Sequence, residues 1–140
     1  MTTVLLIDDN DDYRETVRYI LEDEGLEVVD TDCPDAAFKI LETMDAPDLI
    51  ICDLHMPFTT GPERDDFEVS NEVGVRTLHE LAWAFPNTPV LAMSAAEGAD
   101  LGALKKQLSP IPAFQKPLRT ADMVEVVRYC LTSKVYGGLN

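Results

Sequence analysis

The stretch DLIICDLHMP, residues 48–57, reads as a buried strand that stops on a charge. Leu49, Ile50, Ile51 and Cys52 form a nearly continuous apolar run, the pattern of a strand covered on both faces in a parallel sheet. Asp53 ends it, with His55 and a Met-Pro pair behind. What a carboxylate does at that point is the question the rest of the chain answers.

Working outward, similar runs recur. TVLLI (residues 3–7), LEVVD (26–30), DLIIC (48–52), PVLAM (89–93) and the weaker PAFQ (112–115) read as strands. Between them apolar residues return at helical spacing: Val17, Ile20 and Leu21; Ala37, Ile40, Leu41 and Met44; Leu78, Leu81, Ala82 and Phe85; Leu101, Leu104 and Leu108; Met123, Val126, Val127, Cys130 and Leu131. Strict alternation of strand and helix selects a doubly wound α/β sandwich, in which ligands bind beyond the carboxyl ends of the strands.

Composition limits the partners. A chain of 140 residues with 46% apolar and 26% charged residues suits one globular domain. No apolar run approaches the roughly eighteen residues of a membrane span, so no membrane insertion is expected. MTTVLLIDDN lacks a basic leader, which argues against a secretory signal and for a cytoplasmic address. The net charge of −15 argues against nucleic acid, whose phosphates are bound by clustered Lys and Arg, and favours metal cations or basic protein surfaces. Cys33, Cys52 and Cys130 are far apart, odd in number and without a CxxC, as expected of reduced packing thiols.

The residues that end the strands carry the chemistry. The first strand ends on Asp8 and Asp9, the third on Asp53 and the fourth on Ser94, and Lys116 follows the fifth. Singly, each has a plain structural role: DDND caps a helix, Asp53 turns the chain, Lys116 is a solvated lysine. Together they put three carboxylates on one rim, where each pair repels by about 1 to 4 kcal/mol at ~4 Å. A hard divalent cation such as Mg²⁺ offsets that charge through oxygen ligands, and the Lys116 ammonium supplies a second, fixed positive charge.

With these residues the sequence resembles the receiver domain of two-component response regulators over nearly the whole chain. The matching motifs are LLIDDN with the acidic pair Asp8 and Asp9, ICDLHMP with Asp53, LAMSA with Ser94, and QKP with Lys116 and Pro117. The resemblance implies a flavodoxin-like sheet of order 2-1-3-4-5, with Asp53 accepting a phosphoryl group from a phosphohistidine or a small acyl phosphate. The donor would be a sensor histidine kinase or histidine phosphotransfer protein, and the output a downstream protein target. It further implies Mg²⁺ held by the acidic pair, Asp53 and the backbone carbonyl of His55. Ser94 would be the switch hydroxyl, with Lys116 and the amides near His55 and Ala95 cradling the phosphoryl oxygens and a cis bond at Lys116–Pro117. Such a domain promotes its own phosphorylation but is not a turnover enzyme on external substrates.

Two departures from the family pattern stand out. The usual aromatic three residues before the lysine is Ala113, with Phe114 next to it. Phe58 to Gly74 also makes a longer connection than the usual 2 to 6 or so residues. Few residues follow the last helix, so residues 1–140 are read as a single receiver domain. A receiver cut from a larger regulator, or an adaptor of receiver fold that carries no phosphate, are the alternatives. A hydrolase working through aspartyl phosphate would want a second acid two residues after the nucleophile, where His55 stands.

Overall fold

The computed structural model describes residues 2–55 and 71–133. Strands and helices alternate along them: β1 (Thr3–Ile7), α1 (Asp11–Asp23), β2 (Glu27–Thr31), α2 (Pro34–Leu41), β3 (Leu49–Asp53), α3 (Asn71–Ala84), β4 (Val90–Ser94), α4 (Gly98–Leu108), β5 (Ala113–Gln115) and α5 (Thr120–Ser133). The strands pair in parallel in the order β2-β1-β3-β4-β5. This is the doubly wound, flavodoxin-like sheet that the alternation and the resemblance imply.

Three strand boundaries differ from the apolar runs by one residue. β2, β3 and β4 begin and end one position later, because ladder pairing rather than apolarity sets their ends: Ile7 partners Thr31, Asp53 partners Met93, and Ser94 partners Gln115. Asp53 and Ser94 are therefore the last paired residues of their strands rather than the first residues beyond them. β5 is shorter than PAFQ. Pro112 has no N–H to give to a ladder, although its carbonyl accepts from the Ala92 amide at 2.9 Å.

Side-chain alternation divides the core in two. Leu5, Ile7, Ile50, Cys52, Val90 and Ala92 pack against Ala37 of α2, Leu78 and Leu81 of α3, and Leu104 and Leu108 of α4. Val4, Leu6, Leu49, Ile51, Leu91 and Met93 pack against Val17 and Leu21 of α1 and against Met123, Val127 and Cys130 of α5. Both faces of the sheet are covered, which is why its strands are apolar throughout. Continued past the strands, the same parity puts Asp8, Asp53 and Lys116 on the α1/α5 side and Ser94 on the other. The three cysteines are free and buried.

Helix starts follow local chemistry. Asn10 caps α1 by accepting from the Tyr13 amide, with Asp11 and Asp12 in the first turn, so the DDND segment does cap a helix as well as end a strand. Pro34 opens α2, where its missing N–H costs nothing. Asn71 to Gly74, read from sequence as part of the long connection, instead form the first turn of α3. The rest of that connection, residues 56–70, lies outside the described residues.

Gly74 fixes how close α3 comes to the end of β3. A Cβ there would lie 1.9 Å from the Leu54 carbonyl oxygen and 2.6 Å from the Leu54 Cα, so no other residue fits without moving backbone. Gly74→Ala should destabilise the fold by more than about 1 kcal/mol in urea melts, against the usual helical preference of about 1 kcal/mol for Ala over Gly. Gly102→Ala in α4, where a Cβ meets nothing within 4 Å, should stabilise by up to that amount. Equal behaviour of the two variants would remove the packing role of Gly74.

Candidate functional site

The site lies where β1, β3, β4 and β5 end together. The Asp8 amide extends the β1–β2 ladder by donating to the Thr31 carbonyl (3.1 Å), and the Lys116 amide extends β5 by donating to the Ser94 carbonyl (2.7 Å). The β1–β3 register, which ends with Ile7 opposite Cys52, brings Asp8 beside Asp53, and the last β4–β5 bond brings the Lys116 backbone beside Ser94. Asp8 and Asp53 are buried, with 2% and 5% of their surface exposed, and Asp9 is exposed. One carboxylate oxygen from each of the three lies within 4.8 Å of the others, close enough to share one cation.

Lys116 stands between the two buried acids. Its Nζ is 3.1 Å from Asp8 Oδ2 and 3.3 Å from Asp53 Oδ1, and the Lys116–Pro117 bond is cis, as the resemblance implies. One ammonium does not neutralise three carboxylates. Burial, and next the charge of Asp8, push the Asp53 carboxyl up to about 7, with Lys116 pulling the other way. Burial alone would lower the Lys116 ammonium, but Asp53 and Asp8 outweigh it and hold it above its ordinary value. An acidic group raised in this way favours an added cation, and an all-oxygen donor set suits a hard divalent ion.

The remaining expected residues occupy the same rim in different states. Ser94 is buried, and its Oγ accepts from the Ala96 amide at 3.0 Å, so its own proton is not committed by that bond. Ala95 and His55 are exposed. Ala113 is buried against the α2–α4 face, and the half-buried Phe114 packs on the opposite one.

Sequence reasoning missed several supporting residues. Arg14 donates through Nη1 to the Asp8 carbonyl (2.7 Å) and through Nε to Asp30 Oδ2 (2.9 Å), tying the β1 turn to the end of β2. The Asn10 amide donates to Asp8 Oδ1 at 2.9 Å and fixes that carboxylate. Tyr13 lays its ring beside Lys116, with Nζ 4.7 Å from the ring centroid. The cap at Asn10 was legible, and it sets the position of Tyr13 on the first turn. The contacts across the sheet had no local signal.

Residues 4–64 match the response regulator receiver domain family. The fold resembles the response regulator receiver domain protein of Clostridium thermocellum, at 20% identity and a TM-score of 0.73, covering 96% of this chain and 97% of that one. It also resembles the CheY-like receiver domain protein of Methanospirillum hungatei JF-1, at 17% identity, a TM-score of 0.74 and 96% of each chain. An uncharacterized 14.6 kDa protein in the sodA1 3′ region of Leptolyngbya boryana is 29% identical over 131 residues, which are 91% of this chain and 89% of that protein. The sequence match thus spans residues 4–64, and over nearly its whole length the chain has the fold of these receiver domains. None of its described helices is long and apolar enough to cross a membrane.

The raised Asp53 pKa has a consequence for stability. In metal-free buffer the folded chain keeps a proton on Asp53 up to about pH 7, whereas the unfolded chain releases it near pH ~4. Folding then binds a proton in that window, so the contribution of Asp53 to stability declines as pH rises through it. Asp53→Asn lacks the titration. With a chelator present, its advantage over the unaltered protein in urea melts should grow between pH ~4.5 and ~8, by an amount on the order of 2–4 kcal/mol at about 1.4 kcal/mol per pKa unit. A difference independent of pH would mean that Asp53 is ionised throughout.

Proposed function

We propose that the chain is a response regulator receiver domain whose Asp53 accepts a phosphoryl group from a phosphohistidine of a sensor histidine kinase or phosphotransfer protein, or from an acyl phosphate. The observation that carries this reading is the buried Asp53 carboxylate at the end of β3, 3.3 Å from the Lys116 ammonium and grouped with Asp8 and Asp9. An Asp53 oxygen forms a bond to phosphorus while the P–N bond of the donor breaks, its electron pair leaving with the imidazole; with an acyl phosphate a P–O bond breaks instead. Such a transfer needs alignment and charge stabilisation more than covalent help.

Lys116 supplies a fixed positive charge on the transferred oxygens. Ser94 can donate its hydroxyl proton to one of them, and the amides near His55 and Ala95 can donate as well. Ala95 is small enough to leave the approach open. A divalent cation of the Mg²⁺ kind, held by Asp8, Asp9, Asp53 and the His55 backbone carbonyl, would supply the charge that displaces the Asp53 proton and neutralises the phosphoryl oxygens. The acylphosphate changes the local charge and offers new acceptors, which shifts the loop after β4 and a protein-binding surface beyond it. The chain acts in the cytoplasm, and its output is a downstream protein rather than a released product.

Incubation with an acyl phosphate and Mg²⁺ should add one phosphoryl mass to the unaltered protein and none to Asp53→Asn, as read by intact mass spectrometry. An undiminished adduct on the variant would refute Asp53 as the acceptor. Saturating Mg²⁺, at about a hundred times its dissociation constant, should add about 2.7 kcal/mol to the unaltered fold and clearly less to Asp53→Asn. Equal increments would put the metal elsewhere.

A further inference from the structure

Tyr13 closes a ring of contacts around the site. Asp8 Oδ1 accepts from the Asn10 amide (2.9 Å), and Asn10 Oδ1 accepts from the Tyr13 amide (3.0 Å). The Tyr13 ring lies 4.7 Å from Lys116 Nζ, and Nζ returns to Asp8 Oδ2 (3.1 Å). The aromatic face is thus set by the helix cap, and the cap by the same carboxylate that pairs with the ammonium. The Tyr13 hydroxyl is buried, with the Leu118 backbone acting on it, and the ring is the part of the side chain that meets Lys116.

The three attractions on Lys116 differ in what would disturb them. Those of Asp8 and Asp53 are ionic, and both carboxylates change partners if a cation enters or if Asp53 is phosphorylated. The attraction of the ring quadrupole for a cation depends on neither event. A lysine has four flexible carbons, and once its carboxylates are engaged elsewhere neither of them holds it inward until phosphoryl oxygens arrive.

We propose that Tyr13 is a positioning residue whose aromatic face keeps the Lys116 ammonium in the site while its carboxylate partners are exchanged for phosphoryl oxygens. The role rests on the phosphoacceptor reading of Asp53. The competing account is that Tyr13 merely fills space on the α1/α5 face, against which it also packs.

Two measurements separate these accounts. In the metal-free protein, the Lys116 ε-methylene protons should show an upfield ring-current shift by NMR, kept in Tyr13→Phe and lost in Tyr13→Leu. The rate of labelling by acyl phosphate at saturating Mg²⁺ should stay within about two-fold in Tyr13→Phe and fall about five-fold or more in Tyr13→Leu, the size of a partly desolvated cation–π contact. Because Tyr13→Leu could disturb packing, phenylalanines bearing one, two and three ring fluorines are placed at position 13; they keep the shape and drain the quadrupole. A stepwise fall in rate with fluorine number is the expected result. A flat series, or an absent ring-current shift, would reduce Tyr13 to a packing residue. No adduct on the unaltered protein despite a normal ring-current shift would overturn the phosphoacceptor reading, and the role with it, while leaving the contact itself intact.

Discussion

Two buried carboxylates share one ammonium at the end of this sheet, and much of the local architecture serves to keep them there. Asp8 and Asp53 neighbour each other because β1 and β3 pair in a register that ends at Ile7 and Cys52. Lys116 arrives from 108 residues away along the chain from Asp8, at the end of the edge strand. Burying such a group is costly, and removing one member of it would leave another uncompensated. The raised Asp53 carboxyl records that the single lysine does not offset the whole cost. The domain thus spends stability on a concentrated negative charge that an added cation would offset.

That arrangement is rigid on one side and loose on the other. On the α1 side Asp8 is held by its ladder bond to Thr31, by the Asn10 amide and by Arg14, and Arg14 is anchored on Asp30. On the β4 side, Ser94 is held through its carbonyl by the Lys116 amide and through its hydroxyl by the Ala96 amide alone. Asp8 is thus pinned by several bonds, whereas the Ser94 hydroxyl is held by one amide.

Much of this was legible in the sequence because the signals are local. Strand and helix alternation, the apolar runs and the order Asp8, Asp9, Asp53, Ser94, Lys116 give the fold and the rim without any distance information. The one-residue offsets of β2, β3 and β4 arise because polar Thr31, Asp53 and Ser94 still complete ladder pairs, and apolarity stops where pairing does not. Arg14 with Asp30 and Tyr13 with Lys116 were not legible: each joins residues on different elements, and neither residue type is unusual where it stands. The cis bond at Ser109–Pro110 likewise has no sequence mark beyond the proline. Gly74 could not be told from any helical glycine until the Leu54 carbonyl appeared against it.

Ala113 bears on how, under the proposed phosphoacceptor reading, a change at Ser94 would travel. Alanine has no rotamer to flip, and it is buried at 6% exposure under the α2–α4 face, so no aromatic at that position couples hydroxyl to surface. Phe114 points into the other core and belongs to the α1/α5 side. What remains is the backbone. Should the Ser94 hydroxyl turn toward a phosphoryl oxygen, the Ala96 amide loses its acceptor two residues before α4 begins. The start of α4 is poorly secured: Glu97 makes no side-chain cap bond, Gly98 has a φ of +56°, and the buried residues of the helix, Leu104 and Leu108, lie in its later turns. Under the proposed phosphoacceptor reading, a perturbation released at Ala96 would act first on the early turns of α4, whose buried residues begin only at Leu104.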